Sequence, residues 1–92
     1  MNAEPEYRVE VVDAVLQAEG FRRLAHADPR TLAWFRREGD TWNIGSYRLP
    51  DARLAIRESH LLAIARQLGY TTGDQMDGLL SKIKRAGGEF LG

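Results

Sequence analysis

The strongest constraint on this chain is a dipeptide. Gly39-Asp40 separates "TLAWFRRE" (Thr31 to Glu38) from "TWNIGSY" (Thr41 to Tyr47), and both runs are rich in the aromatic and β-branched residues that suit strands. A two-residue loop with glycine first is the type II′ hairpin pattern, whose twist matches that of the strands it joins. Such a loop sets the register. Glu38 should pair with Thr41, Arg37 with Trp42, Arg36 with Asn43, Phe35 with Ile44, and Trp34 with Gly45.

Directly opposed residues share a face. One face then carries Ala33, Phe35, Arg37, Trp42 and Ile44. The other carries Leu32, Trp34, Arg36, Asn43 and Tyr47, with Gly45 leaving room beside the Trp34 ring. A half-exposed antiparallel sheet alternates apolar and polar residues, yet this hairpin is apolar on both sides. Either helices cover both faces, or a helix covers one and a partner the other. The Phe35–Ile44 face has a wholly apolar centre and reads as the core face, with Arg37 and Trp42 as a cation–π pair at its rim. The second face mixes Trp, Tyr and Arg, the residue types of binding hot spots and of sheets that stack bases. Two placements of Trp34 stand open. It packs under the first helix with Arg36 at the rim, or it forms with Tyr47 an aromatic anchor ringed by Arg23, Arg36 and Asn43.

The flanks supply helices. Pro5 suits a first helical position, and Tyr7, Val11, Val12, Val15 and Leu16 form one stripe that Gly20 ends. The run "YRVEVV" also alternates like a strand; the helix reading rests on the spacing that continues to Leu16. "FRRLAH" (Phe21 to His26) reads as a short strand and "ADPR" as a turn. "DARLAIRESHLLAIARQLG" is either one helix, or a fourth strand "RLAIR" followed by a shorter helix capped by Ser59; Gly69 ends it in both readings. Thr72 and Gln75 form a capping-box pair ahead of the stripe Met76, Leu79, Leu80 and Ile83, and Gly87 ends that helix. Asp74 and Asp77 near its start, and Lys82, Lys84 and Arg85 near its end, suit the helix dipole. The order α-β-β-β-α-α predicts a single α+β domain over residues 1–92, a three-stranded antiparallel sheet packed against helices.

The formal net charge is zero but unevenly distributed. Residues 1–20 hold Glu4, Glu6, Glu10, Asp13 and Glu19 against Arg8. Residues 21–66 hold nine arginines against Asp28, Glu38, Asp40, Asp51 and Glu58. The split means either an anionic partner for the middle segment or an acidic segment packed beside a basic one. There is no cysteine, hence no disulfide or thiolate chemistry. No apolar run reaches the length of a membrane span. "MNAEPEYRVE" lacks the order of a signal peptide, so a cytoplasmic protein is expected.

Three local resemblances bear on function. "IARQLGYTTGDQMDGLLSKIKRAGG" (Ile64 to Gly88) resembles a helix-turn-helix, which would put Gly73, Asp74, Gln75 and Asp77 at the start of a recognition helix; a plain αα-hairpin gives the same pattern. The order helix, strand, strand, strand, helix resembles HicA-type RNA-cleaving toxins and double-stranded-RNA-binding domains. Those toxins carry a histidine on the middle strand, and Thr31 to Glu38 has none. Gly87-Gly88-Glu89-Phe90 resembles the diguanylate cyclase signature, but at the end of a helix its glycines serve as a stop.

His26 and His60 are the only histidines, and no metal-ligand spacing, phosphate loop or nucleotide fingerprint is present. The expectation is a non-enzymatic binding or regulatory module from a bacterium, phage or mobile element, with no cofactor and no membrane contact. It would dock onto a protein through Trp34, Tyr47, Arg23, Arg36, Arg37, Trp42 and Asn43. The alternative is nucleic-acid binding through Arg22, Arg23, Arg36, Arg37, Arg48 and Arg53. A minor alternative is a ribonuclease-like toxin using His26 or His60, and a homodimer would consume the aromatic hairpin in another way.

Overall fold

A computed structural model describes residues 4–91 of the chain. The hairpin forms as its loop dictates: β3 (Thr31–Glu38) and β4 (Thr41–Arg48) pair antiparallel from Thr31↔Arg48 to Glu38↔Thr41, in the predicted register. Gly39 has φ 61°. Leu54 is the only non-glycine residue with positive φ among the described residues, so Asp40 does not follow Gly39 into the left-handed region, as a type II′ turn requires. β2 (Arg22–Arg23) adds to the other edge of β3 through Arg22↔Phe35 and Arg23↔Trp34. The fold is α+β, with the three-stranded sheet ordered β2-β3-β4.

The predicted first helix starts late. Glu6–Arg8 is a strand, β1, and α1 spans Val9–Ala18. β1 pairs with β5 (Ala55–Arg57), so "RLAIR" is strand rather than the start of a long helix. The physical reason is burial at both central residues: Tyr7 and the opposing Ile56 are both enclosed. The Tyr7 hydroxyl donates to Glu58 Oε1 at 2.8 Å, and burial together with that carboxylate raises its pKa well above the usual tyrosine value. α2 (Glu58–Gln67) follows directly, with Arg57 rather than Ser59 at its N-cap. Ser59 instead donates its backbone N–H to the Glu4 carboxylate.

α3 (Gly73–Arg85) opens on the expected capping box of Thr72 and Gln75 and turns out at Gly87, φ 77°. The Gly-Gly-Glu-Phe tail then runs back along β1. Arg8 N–H donates to Gly88 O at 2.7 Å, and Phe90 N–H to Glu6 O at 2.9 Å. A Cβ at Gly88 would lie 2.5 Å from Ile83 Cγ2, so only glycine fits there.

The helices cover the face of Trp34. Its side chain is 0% exposed, and its indole Nε1–H donates to Asp13 Oδ1 of α1 at 2.8 Å. Opposite Trp34, a Cβ at Gly45 would meet Ile64 O at 2.9 Å and Leu68 Cγ at 3.0 Å. The glycine therefore admits α2 against β4 rather than merely leaving space beside the indole. Leu16, Leu32, Trp34, Ile64, Leu68, Leu79 and Ile83 belong to one contiguous core. The expectation that Phe35 and Ile44 form the core face is thus corrected. Gly45 lets α2 approach on the Trp34 side, and on the other side Ile44 is left 58% exposed.

Asp28 ties the β2–β3 connection to β4. Its Oδ1 accepts Arg30 N–H at 2.9 Å and its Oδ2 lies 3.1 Å from Arg48. The Arg30 backbone N–H, then the Arg30 and Arg48 guanidinium groups, hold its carboxyl below the usual range. A carboxyl depressed in the fold adds stability above its unfolded pKa, about 3.9, and loses it as pH falls through the folded value. The stability gap between the wild type and Asp28→Asn should therefore be widest near neutrality and close below about pH 4, as read by urea denaturation across pH. Asp13→Ala should cost about 1–3 kcal/mol in the same assay, because it strands a buried indole N–H.

Candidate functional site

The opposite face of the sheet carries the candidate site. The pairings set Arg22, Phe35 and Ile44 side by side, with Arg37 and Trp42 as the next rank toward the hairpin tip. Leu24 continues β2 by donating its N–H to Ala33 O at 2.9 Å. Leu24 is 55% exposed, Trp42 55% and Ile44 58%. Isolated apolar residues on a surface are ordinary, but three large ones on a single sheet face, beside a half-buried Phe35, form a patch.

Its geometry is partly fixed. The Phe35 and Trp42 rings lie 5.9 Å apart at 49°. The Arg37 guanidinium sits 6.0 Å from the centre of the Trp42 ring, the expected cation–π pair, and its Nε donates to Gly39 O at 2.9 Å. Asp40 approaches Arg37 only to 4.0 Å and is fully exposed. Arg22 has no carboxylate partner among the described residues. The chain turns at Gly20, φ 97°, just before β2, which leaves the Arg36–Glu38 edge of β3 without a neighbouring strand. The resulting cleft, about 300 Å³, is lined by Gly20, Arg22, Phe35, Arg36, Arg37 and Trp42.

The residues expected to bind divide between two faces. Arg37 and Trp42 are on the open one. Trp34 is internal and cannot anchor a partner. Tyr47 is half-buried, its ring 4.4 Å from His60 and its hydroxyl 3.4 Å from His60 Nε2. Asn43 donates to Glu38 Oε2 at 2.8 Å. Arg36 lies over Phe21 at 4.2 Å, donates to Glu19 O at 2.9 Å, and reaches the cleft only along its edge. Arg23 leans on Trp34 at 5.8 Å, away from the patch. Ile44 and Leu24 belong to the exposed patch and were not among the expected binding residues. The signal for them was Gly45: a notch for a helix on one face leaves the other uncovered.

Neither histidine adjoins the patch. The His26 ring accepts Asp28 N–H at 3.0 Å, and His60 is engaged with Tyr47; neither lines the cleft. A cleft of about 370 Å³ beside α3 holds two ion pairs, Lys82 with Glu19 at 2.8 Å and Arg36 with Glu38 at 3.5 Å, and Asp74 also lines it. Burial, and then the Glu19 charge, push the Tyr70 hydroxyl there up to about 12. Among the described residues no helix is long and apolar enough to cross a membrane.

No family model matches the chain, and comparison with curated proteins and with solved structures finds no match.

The two tryptophans make the assignment of faces measurable. In Trp42→Phe, the remaining Trp34 emission should be blue-shifted and resist acrylamide quenching. In Trp34→Phe, the remaining Trp42 emission should be red-shifted and quench readily.

Proposed function

We propose that this domain acts by binding rather than catalysis, and that it docks the open face of β2-β3-β4 onto an acidic, partly apolar surface of another protein. The supporting observation is the composition of that face. Leu24, Phe35, Trp42 and Ile44 form an apolar centre, and Arg22 and Arg37 stand at its rim with little compensation. An apolar centre with aromatic and arginine hot spots is the anatomy of a protein interface.

Single-stranded nucleic acid fits less well. Leu24 and Ile44 have no π-face for a base, and the tilt between Phe35 and Trp42 gives no parallel platform for successive bases. A second copy also fits less well, since an isologous contact would bring two like-charged rims of Arg22 and Arg37 into one interface.

The test is affinity capture from nuclease-treated extract of the source cells, with variants as controls. Trp42→Ala and Ile44→Asp should each weaken a specific protein partner by about thirtyfold or more, while urea midpoints stay near that of the wild type. Arg22→Glu with Arg37→Glu should abolish capture. Capture that survives all of these variants would contradict the assignment of this face. Nuclease-sensitive binding that falls steeply with salt would favour nucleic acid instead.

A further inference from the structure

We propose that a second pocket binds a phosphate monoester carried on an apolar group. It lies where the end of β1, β2 and the turn before β5 meet, and it shares no residue with the cleft on the open face. Its volume is about 430 Å³, and Arg8, Arg23, Val9, Pro29, Leu54 and Phe90 line it together with Glu10 and Arg53.

Arg53 on this wall is already neutralised, with Glu6 Oε1 at 3.0 Å and Asp51 Oδ2 at 3.0 Å. Arg8 and Arg23 are different. They come from distant parts of the chain, line one concavity, and have no carboxylate partner among the described residues. Two guanidinium groups without an ion-pair partner, opposed on the lining by Glu10 alone, leave a net positive wall, and their planar forks suit the oxygens of a phosphate monoester. The Trp34 ring, 5.8 Å from the Arg23 guanidinium, helps hold that group in place. Glu10 is the one opposing charge on the lining that lacks an ion-pair partner among the described residues.

The remaining wall is apolar, which calls for more than bare phosphate. Leu54 holds a left-handed backbone, φ 56°, that a branched side chain rarely adopts, and its exposed side chain forms part of this wall. Its carbonyl meanwhile accepts Val9 N–H at 3.0 Å at the start of α1. Backbone strain at an exposed leucine, where glycine would be relaxed, is consistent with a side chain retained for contact.

Phenyl phosphate and inorganic phosphate, titrated separately into the full chain at low ionic strength and followed by amide NMR, test the proposal. Phenyl phosphate should shift the amides of Arg8, Val9, Arg23 and Leu54, and bind about tenfold or more tightly than inorganic phosphate. Arg8→Ala and Arg23→Ala should each weaken it several-fold, and Glu10→Gln should tighten it. Leu54→Gly, which relaxes the backbone, should keep the fold and bring phenyl phosphate down to the affinity of inorganic phosphate. Co-sedimentation with phosphatidylcholine vesicles containing phosphatidic acid would assign the phosphate to a lipid headgroup; failure to sediment, with phenyl phosphate still bound, would assign it to a soluble ester. Equal affinity for the two phosphates, shifts confined to Arg37 and Trp42, or binding unchanged in folded Arg8→Ala would overturn the proposal.

Discussion

The contact between the Trp34 indole and Asp13 orients everything else. Burying that indole with its N–H unpaired would cost a few kcal/mol, on the order of its desolvation. Asp13 of α1 supplies the acceptor at 2.8 Å, and its other oxygen accepts from Gln17 Nε2 at 2.9 Å. This places α1 over the Trp34 face of the sheet. Gly45 completes the choice on the neighbouring strand by letting the backbone of α2 approach to contact distance. Once two helices occupy that face, the alternation of a strand sends Phe35, Trp42 and Ile44 to the other side.

The uncovered face follows from that choice, and so does the split of the arginines. Arg36 is drawn inward, stacked on Phe21 and bonded to the Glu19 carbonyl. Arg23 is drawn to Trp34 and the second pocket. Arg22 and Arg37 remain beside the apolar patch. The charge asymmetry of the sequence is thus partly internal: Arg53 with Glu6 and Lys82 with Glu19 join distant segments. Of the arginines without an ion pair, Arg22 stands at the rim of the open face and Arg8 and Arg23 line the pocket beside Leu54.

The hairpin, its register, its turn type and the capping box of α3 were all legible in the sequence, because each depends on residues a few positions apart. The β1–β5 pair was not. Each strand is three residues long, Tyr7 also fits the helical stripe of the first helix, and although Ile56 falls on the opposite side from the stripe of a long second helix, only the burial of Tyr7 against Ile56 decides. The face of the hairpin was misjudged for a related reason. Arg36 and Asn43 suggest a wet surface, but a carbonyl, an aromatic ring and Glu38 satisfy them at the margin of the core. The purely apolar Phe35–Ile44 centre suggests a core, yet the helices pack on the side that Gly45 opens. One small residue, Gly45, carried more information about burial than the hydrophobicity of its neighbours.

Trp34 is sealed beneath α1 while Trp42 stands open on the other face. Exchange of the two indole N–H protons is the most direct measurement. After transfer of ¹⁵N-labelled protein into D₂O, the Trp34 indole resonance should persist while that of Trp42 vanishes within the dead time. Loss of both signals at once, or survival of Trp42 alone, would contradict this arrangement of the sheet and the functional reading built on it.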